Sequence, residues 1–351
     1  VELLVEGQPF WDSFFGYHNL QRFTSVVNDH LQPWWFFGPV MLVAALPFTP
    51  YLLLGLAQVP RSRTAPEHSL HQFAACWLLA VLLLFTTAAT KLPSYWLPAT
   101  PAAALLVAQA TLGSSRWQRL AWGTSLALIA VLAAGFWLGS LWVPLIDDPE
   151  MPTLSVDLLA SGLLGRAAFW FSAAGVLGAF LLLQRRSAGQ ALLAMEACLL
   201  GFHLTALVPT AELADRLRQR PVREAAALMV SKQRSGEPMA MVGAMKPSLH
   251  FYTGQVILYE GQSDGALVNI ADRLADEQRR GWRGHPLGTP SASDTVLVLI
   301  DRGTAQRDHW SNLQPERLGQ IGIYDVWRLD RRRLEQRART LQDDGVEADW
   351  R

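Results

Sequence analysis

Between residues 34 and 209 only 14 of 176 residues carry a charge, and the run 73–90 carries none. A stretch of that composition has no solvated face to offer. In hydrocarbon every backbone N–H and C=O must be satisfied within the protein, which leaves the α-helix as the ordinary spanning element. Runs approaching the roughly 20 apolar residues that such a helix needs occur at 34–57, 72–90, 95–112, 120–143, 158–183 and 191–208, so the sequence predicts about six spans. A wholly soluble enzyme is excluded. The remainder of the chain is of another kind: residues 1–209 hold 19 of the 60 charged groups and residues 210–351 hold 41. The formal net charge of zero is therefore the sum of two unlike parts, and it disfavours nucleic acid as a partner. Cys76 and Cys198 both lie in apolar runs, which speaks against a disulfide framework or a cysteine-based metal site. The first residue is Val and no signal-like segment precedes it. The expectation is the rear part of a longer or processed protein.

The short connections sort their cations. Arg61 and Arg63, Arg116 and Arg119, and Arg185 and Arg186 follow the first, third and fifth runs, whereas the other loops carry Lys91 alone or the acids Asp147, Asp148, Glu150 and Asp157. The bias of Lys and Arg towards cytoplasmic loops places the arginine pairs inside. Three regions follow: an extracytoplasmic interfacial segment at 1–33, a transmembrane domain at 34–209, and a soluble extracytoplasmic α/β domain at 210–351. In the last, helix-like stretches at 210–234 and 266–280 alternate with β-rich runs at 239–242, 256–259, 295–300 and 322–329. The arginines between Trp327 and Leu341 read as a solvated face of a terminal helix, or else as a contact for anionic headgroups.

Two segments could carry chemistry. The first runs from Phe10 to Phe23, with His30 and Pro33-Trp34-Trp35 after it. On a helix His18 and Arg22 share a face, and Trp11, Phe14 and Phe15 supply an apolar one, as expected of a helix lying in the membrane interface. Arg22 is the only basic residue before the first span, and Arg suits the capture of a phosphate; equally, His and Arg here could only cap and snorkel. The second segment is Thr90-Lys91-Leu92-Pro93-Ser94-Tyr95-Trp96-Leu97-Pro98. Its prolines break the helix, and the backbone groups set free must be met by protein or water. A cation and a phenol in such a turn could line a cavity for an anionic headgroup, or could be a snorkelling Lys and a belt Tyr. Arg166, Glu196 and His203 are ionisable residues within spans, each with a structural explanation available.

Taken together, Phe14-Phe15 through His18-Asn19-Leu20-Gln21-Arg22-Phe23, His30 before Pro33-Trp34-Trp35, and Lys91-Leu92-Pro93 with Tyr95, Leu97-Pro98 and Pro101 resemble the membrane glycosyltransferases of the GT-C class related to the aminoarabinose transferase of lipid A and to protein O-mannosyltransferases. The match covers residues 8–110, and Lys246-Pro247-Ser248-Leu249-His250-Phe251-Tyr252 looks like a segment of bacterial members' tails. The resemblance implies a bacterial inner-membrane glycosyltransferase, hexosyl or pentosyl. It would move a sugar from a polyprenyl-phosphate donor to a membrane lipid, glycan or protein on the outer side. It implies Arg22, Lys91 and Tyr95 at the donor phosphate, and His18 and His30 as loop-fixing residues or ligands of a divalent metal. It also implies that the catalytic carboxylate belongs to a first extracytoplasmic loop, whose place nothing in residues 1–33 takes, so that this chain alone would be inactive. The alternative from another class is a non-catalytic assembly or regulatory membrane protein that keeps a lipid-phosphate groove.

Overall fold

The computed structural model describes residues 11, 24, 32–59, 69–112, 115–280 and 293–348. The chain divides into two compact units, one of Val1–Gly139 with Gly162–Leu207, the other of Ser140–Ser161 with Val208–Arg351.

The first unit is helical. It contains α1 (Phe37–Ala44), α2 (Thr49–Gln58), α3 (Ser69–Thr87), α4 (Thr100–Ala110) and α5 (Arg116–Trp137). After α6 (Leu154–Ala160), which belongs to the second unit, come α7 (Leu163–Leu183) and α8 (Ala188–Phe202). Four helical stretches are long and apolar enough to cross a membrane: Leu70–Thr87, Arg116–Trp137, Leu163–Leu183 and the start of Ala188–Lys232. A fifth counts if α1 and α2, which meet at 116°, form one broken span. The six expected spans are thus four or five among the described residues. The difference lies at 95–112, where Pro93, Pro98 and Pro101 keep the backbone out of a regular α-helix; a 3-10 segment, Pro93–Ala99, precedes an α4 of only 11 residues.

Helix ends here follow from local chemistry. Ser115 with Gln118 and Ser187 with Gln190 form capping boxes at the starts of α5 and α8. At the end of α7 the Arg185 N–H donates to Leu182 O and the Arg186 N–H to Leu181 O. That pairing is a Schellman motif, with Arg185 in the left-handed seat (φ 54°) that glycine ordinarily takes.

Small residues let the helices approach closely, as is usual where lipid supplies no hydrophobic drive between them. A Cβ on Gly55 of α2 would stand 2.6 Å from the Leu106 carbonyl oxygen of α4, and His71 of α3 is hydrogen-bonded through Nε2 to Gly55 O at 2.7 Å. Gly55→Ala is accordingly expected to push α2 from α4 and destabilise this unit by about 1–3 kcal/mol, read as a lowered unfolding temperature of the detergent-purified protein.

The second unit is an α/β fold. Its remaining elements are α9 (Val208–Arg218), α10 (Arg220–Lys232), β1 (Met239–Val242), α11 (Ser248–Thr253), β2 (Ile257–Glu260), α12 (Asp264–Arg280), β3 (Thr295–Asp301), α13 (Arg302–Ala305), α14 (Asp308–Ser311), β4 (Glu316–Ile321), β5 (Tyr324–Asp330) and α15 (Arg331–Asp343). The five strands are ordered β2-β1-β3-β5-β4. β1 runs parallel to β2 and β3, while β5 runs antiparallel to β3 and β4. The central strand is buried on both faces, which explains its unbroken apolar sequence. Val296, Val298 and Ile300 pack with residues of α12 and α15, and Leu297 and Leu299 with α10 and α11.

Two expectations about the tail are corrected. Arg328 lies on β5 inside the unit, not on a solvated helix, and its guanidinium pairs with buried Glu237 at 2.8 Å. Arg331 starts α15 but is itself buried, donating to Ser293 O at 3.2 Å and to Leu274 O. Both arginines supply donors to a carboxylate and to carbonyl groups that the fold buries away from water.

Candidate functional site

The turn between α3 and α4 holds the second predicted segment. Leu92 is extended (φ −119°, ψ 144°), and the 3-10 segment that follows starts with Pro93 and contains Pro98. This geometry buries Lys91, which is 7% exposed. Its ammonium donates to Ala88 O at 2.7 Å, and no carboxylate among the described residues pairs with it. Tyr95 stacks on Phe85 with ring centroids 4.7 Å apart, and its N–H donates to Leu92 O, so the phenol is fixed one turn beyond the lysine. Phe37 of α1 approaches Phe85 at 6.4 Å, and Trp96 is buried in a cluster with Leu78 and Leu106. A buried cation next to a rigid aromatic wall suits an anion with an apolar neighbour. Arg22, His18 and His30 lie outside the described residues, so of the predicted set the structure describes only Lys91 and Tyr95, both in this turn. Among the described residues no group of three His, Cys, Asp or Glu could hold a metal ion.

Of the ionisable residues in the later spans, His203 and Arg166 find local partners. His203 Nδ1 pairs with Leu199 O at 2.7 Å. The π-helical turn His203–Leu207 leaves Gly201 O to the Thr205 hydroxyl, and that hydroxyl accepts from the Trp170 indole at 2.8 Å. Arg166 is exposed and reaches Thr205 O at 3.4 Å.

In the second unit the carboxyl ends of β1 and β3 adjoin where the chain connections diverge, the place at which open α/β sheets usually bind ligands. Here the crevice is filled. Gly243 follows β1 with φ 87°, and a Cβ there would overlap Asp301 Oδ2. Asp301 accepts from Ala244 N at 2.9 Å and from the N–H and hydroxyl of Thr304 at 3.0 and 2.8 Å.

Beside this plug sits a cluster that the sequence reading did not assemble. Glu150 Oε2 accepts from Lys246 Nζ at 2.6 Å and from Arg218 Nε at 2.7 Å. Lys246 is 6% exposed, placed by the turn after β1; Arg218 ends α9. The Tyr324 hydroxyl donates to Ala244 O at 3.3 Å, and burial, then the negative charges of Glu150 and Asp301, hold its phenol far above the usual range. One carboxylate shared by two cations ties the 140–161 segment to the sheet. Lys246 was visible in the Lys-Pro-Ser motif, but its partner, 96 residues earlier, carries no local signal beyond an acidic loop.

Comparison with known proteins agrees with this architecture. Residues 232–345 match the family described as cyanobacterial RgtA-type glycosyltransferase, C-terminal domain. The chain is 33% identical over 184 residues to an undecaprenyl phosphate-alpha-4-amino-4-deoxy-L-arabinose arabinosyl transferase of Erwinia tasmaniensis; the aligned part is 50% of this chain and 31% of that protein. It is 36% identical over 119 residues to the protein of the same name in Pseudomonas paraeruginosa, covering 34% of this chain and 20% of the relative. Among solved structures it is similar to ArnT from Cupriavidus metallidurans bound to undecaprenyl phosphate, at TM-score 0.58 and 20% identity over 92% of this chain and 56% of that one. The apo form of the same protein gives 0.57. The match thus spans about a third of the first relative's length and little more than half of the solved chain. The resemblance to aminoarabinose transferases of the GT-C class holds on both sequence and fold, and four or five helical stretches among the described residues are long and apolar enough to cross a membrane.

Proposed function

We propose that this chain is part of a glycosyltransferase that moves a sugar from a polyprenyl-phosphate donor to an acceptor on the outer side of the bacterial inner membrane, and that the Lys91 turn binds the donor phosphate. The observation that carries the reading is the buried Lys91 in its proline-broken turn, with no carboxylate partner among the described residues. The relatives whose names print an undecaprenyl phosphate-linked sugar support it. The leaving group in such a transfer is a phosphate attached to an isoprenoid tail, so it calls for a cation beside an apolar wall. Lys91 supplies the charge, while Tyr95 and Phe85 supply the wall. Arg22, from the interfacial segment 1–33, would add a bidentate contact to the same phosphate. His18 and His30 would fix that segment or hold a divalent ion. The fixed positive charge acts by stabilising negative charge as it grows on the departing phosphate. The acceptor is a membrane lipid, glycan or protein, and the α/β region from 210 onward lies on the outer side of the membrane.

The test is reconstitution of the full-length protein in liposomes that carry an undecaprenyl-phosphate-linked aminopentose, or in parallel a hexose, in the outer leaflet. Donor-dependent transfer to a lipid acceptor is expected. Absence of transfer, of donor turnover and of undecaprenyl phosphate binding with both donors would rule the reading out and favour the non-catalytic alternative.

A further inference from the structure

At the opposite end of α4 from the Lys91 turn, the helical unit contains a second cationic feature. A cavity of about 710 Å³ is lined by Arg116 and Arg119 of α5, by Arg185 and Arg186 after α7, and by Trp122. Among the described residues none of the four arginines pairs with a carboxylate. Arg116 rests on the Trp117 ring at 5.1 Å and Arg186 Nε reaches only Gln184 Oε1 at 3.5 Å. Glu196 is the sole acid among the described residues of this unit. Four like charges around one cavity repel each other unless an anion joins them. Trp122, 3% exposed, brings an indole N–H that has no hydrogen-bond partner, a donor whose burial costs free energy until an acceptor arrives. Arg185 occupies the left-handed seat of the α7 Schellman motif, where glycine would be unstrained. A charged side chain kept at a strained position points to use of that side chain.

A neighbouring groove says what kind of anion. The same turns of α5 present Trp117, Leu120 and Thr124 towards Pro50 and Leu53 of α2, lining an apolar groove of about 470 Å³. A basic cavity next to an apolar groove matches an amphipathic anion, with its head among the arginines and its tail along α2 and α5.

We propose that this cavity binds the phosphate headgroup of an anionic glycerophospholipid, with one acyl chain in the groove lined by Trp117 and Leu120. The site is separate from the donor turn and independent of the reaction assigned to it.

The experiment uses the full-length protein, delipidated in detergent, and native mass spectrometry after incubation with phosphatidylglycerol, with phosphatidylcholine of the same chains, or with inorganic phosphate. Phosphatidylglycerol should be retained one-to-one and phosphatidylcholine should not, with millimolar phosphate failing to displace it. Each arginine removed should weaken retention about fivefold. The informative variant is Arg185→Gly, which relieves the strained seat: in lipid-free detergent its unfolding temperature should equal or exceed the parent's, while phosphatidylglycerol binding falls. A lost lipid with a raised stability cannot be a folding defect. Equal retention of the two lipids, unchanged binding in both Arg185→Gly and the fourfold Arg-to-Gln variant, or displacement by inorganic phosphate would each overturn the proposal; the last would make the ligand a soluble anion.

Discussion

Exchanging Lys91 for methionine is expected to lower the rate of sugar transfer by about 10²–10³-fold, the range found when one preorganised donor to a developing anion is removed. Methionine keeps the unbranched apolar stem that the turn buries around Lys91 and removes only the charge, so the fold of the turn should survive. The loss belongs chiefly to kcat. The phosphate of the donor carries more negative charge in the transition state than in the bound substrate, and an interaction that strengthens along the reaction accelerates the chemical step. Initial rates at varied donor concentration in liposomes separate the two constants. A change below about threefold would mean that the ammonium only caps the Ala88 carbonyl at the end of α3, and the donor phosphate would have to be sought elsewhere.

The second large effect is on stability. Glu237 is 1% exposed, between α10 and β1. Its carboxylate accepts from Arg328 Nε at 2.8 Å and Nη2 at 3.3 Å, from the Thr295 hydroxyl and from Arg234 N at 3.0 Å. Removing Glu237 leaves the buried Arg328 with only the half-exposed Glu316, 3.1 Å from its Nη1, at a cost of about 3 kcal/mol, the lower end of the range for breaking a buried pair. Glu237→Gln should therefore lower the unfolding temperature of the α/β unit by about 10 °C, followed by near-ultraviolet circular dichroism of Trp310 and Trp327, both buried in it. The pH dependence has a definite sign. Burial pushes the Glu237 carboxyl up, but the hydrogen bonds from Arg328, Thr295 and the Arg234 backbone together outweigh it and hold the group below its ordinary value of 4.5. A depressed folded value means that the stabilisation is complete above 4.5 and disappears as pH falls through the folded value. Parent and variant should thus differ most at neutral pH and converge in acid. A constant difference down to the acid limit would show that lost packing, not lost charge, causes the effect. The double replacement of Glu237 and Arg328 by methionine should recover much of the loss, because no uncompensated charge is then buried.

What the sequence disclosed follows the range over which each signal acts. β1 appears at the residues predicted for it, and β3 differs by one residue at its end, because an apolar strand between polar breaks is a local pattern. β4 was missed: Glu316–Ile321 has no buried residue and, as an edge strand, no apolar face to betray it. The helical stretch at 210–234 is divided at Gln219 and Arg220 into α9 and α10, with Pro221 at the start of the second, a break that proline does announce. At the site, the lysine turn was legible because prolines and an isolated cation occur within nine residues. The Glu150–Lys246–Arg218 cluster was not, since sequence patterns do not report which distant charges meet. Arg328 and Arg331 misled for the same reason: in a run of arginines, composition suggests solvent, and only the tertiary fold shows which of them turn inward.

The shared carboxylate of Glu150 also has a consequence in time. The chain passes between its two units at residues 139, 161 and 207, so the strap 140–161 is synthesised before α7 and α8 and well before the sheet it belongs to. Glu150 and Lys246 are 96 residues apart. At about 5–20 residues per second the ribosome needs on the order of 5–20 s to deliver the lysine after the glutamate. During that interval the strap has no sheet to join. Completion of the α/β unit is therefore a late, chain-length-gated event, and a soluble piece cut at Val208 would lack the segment that closes it.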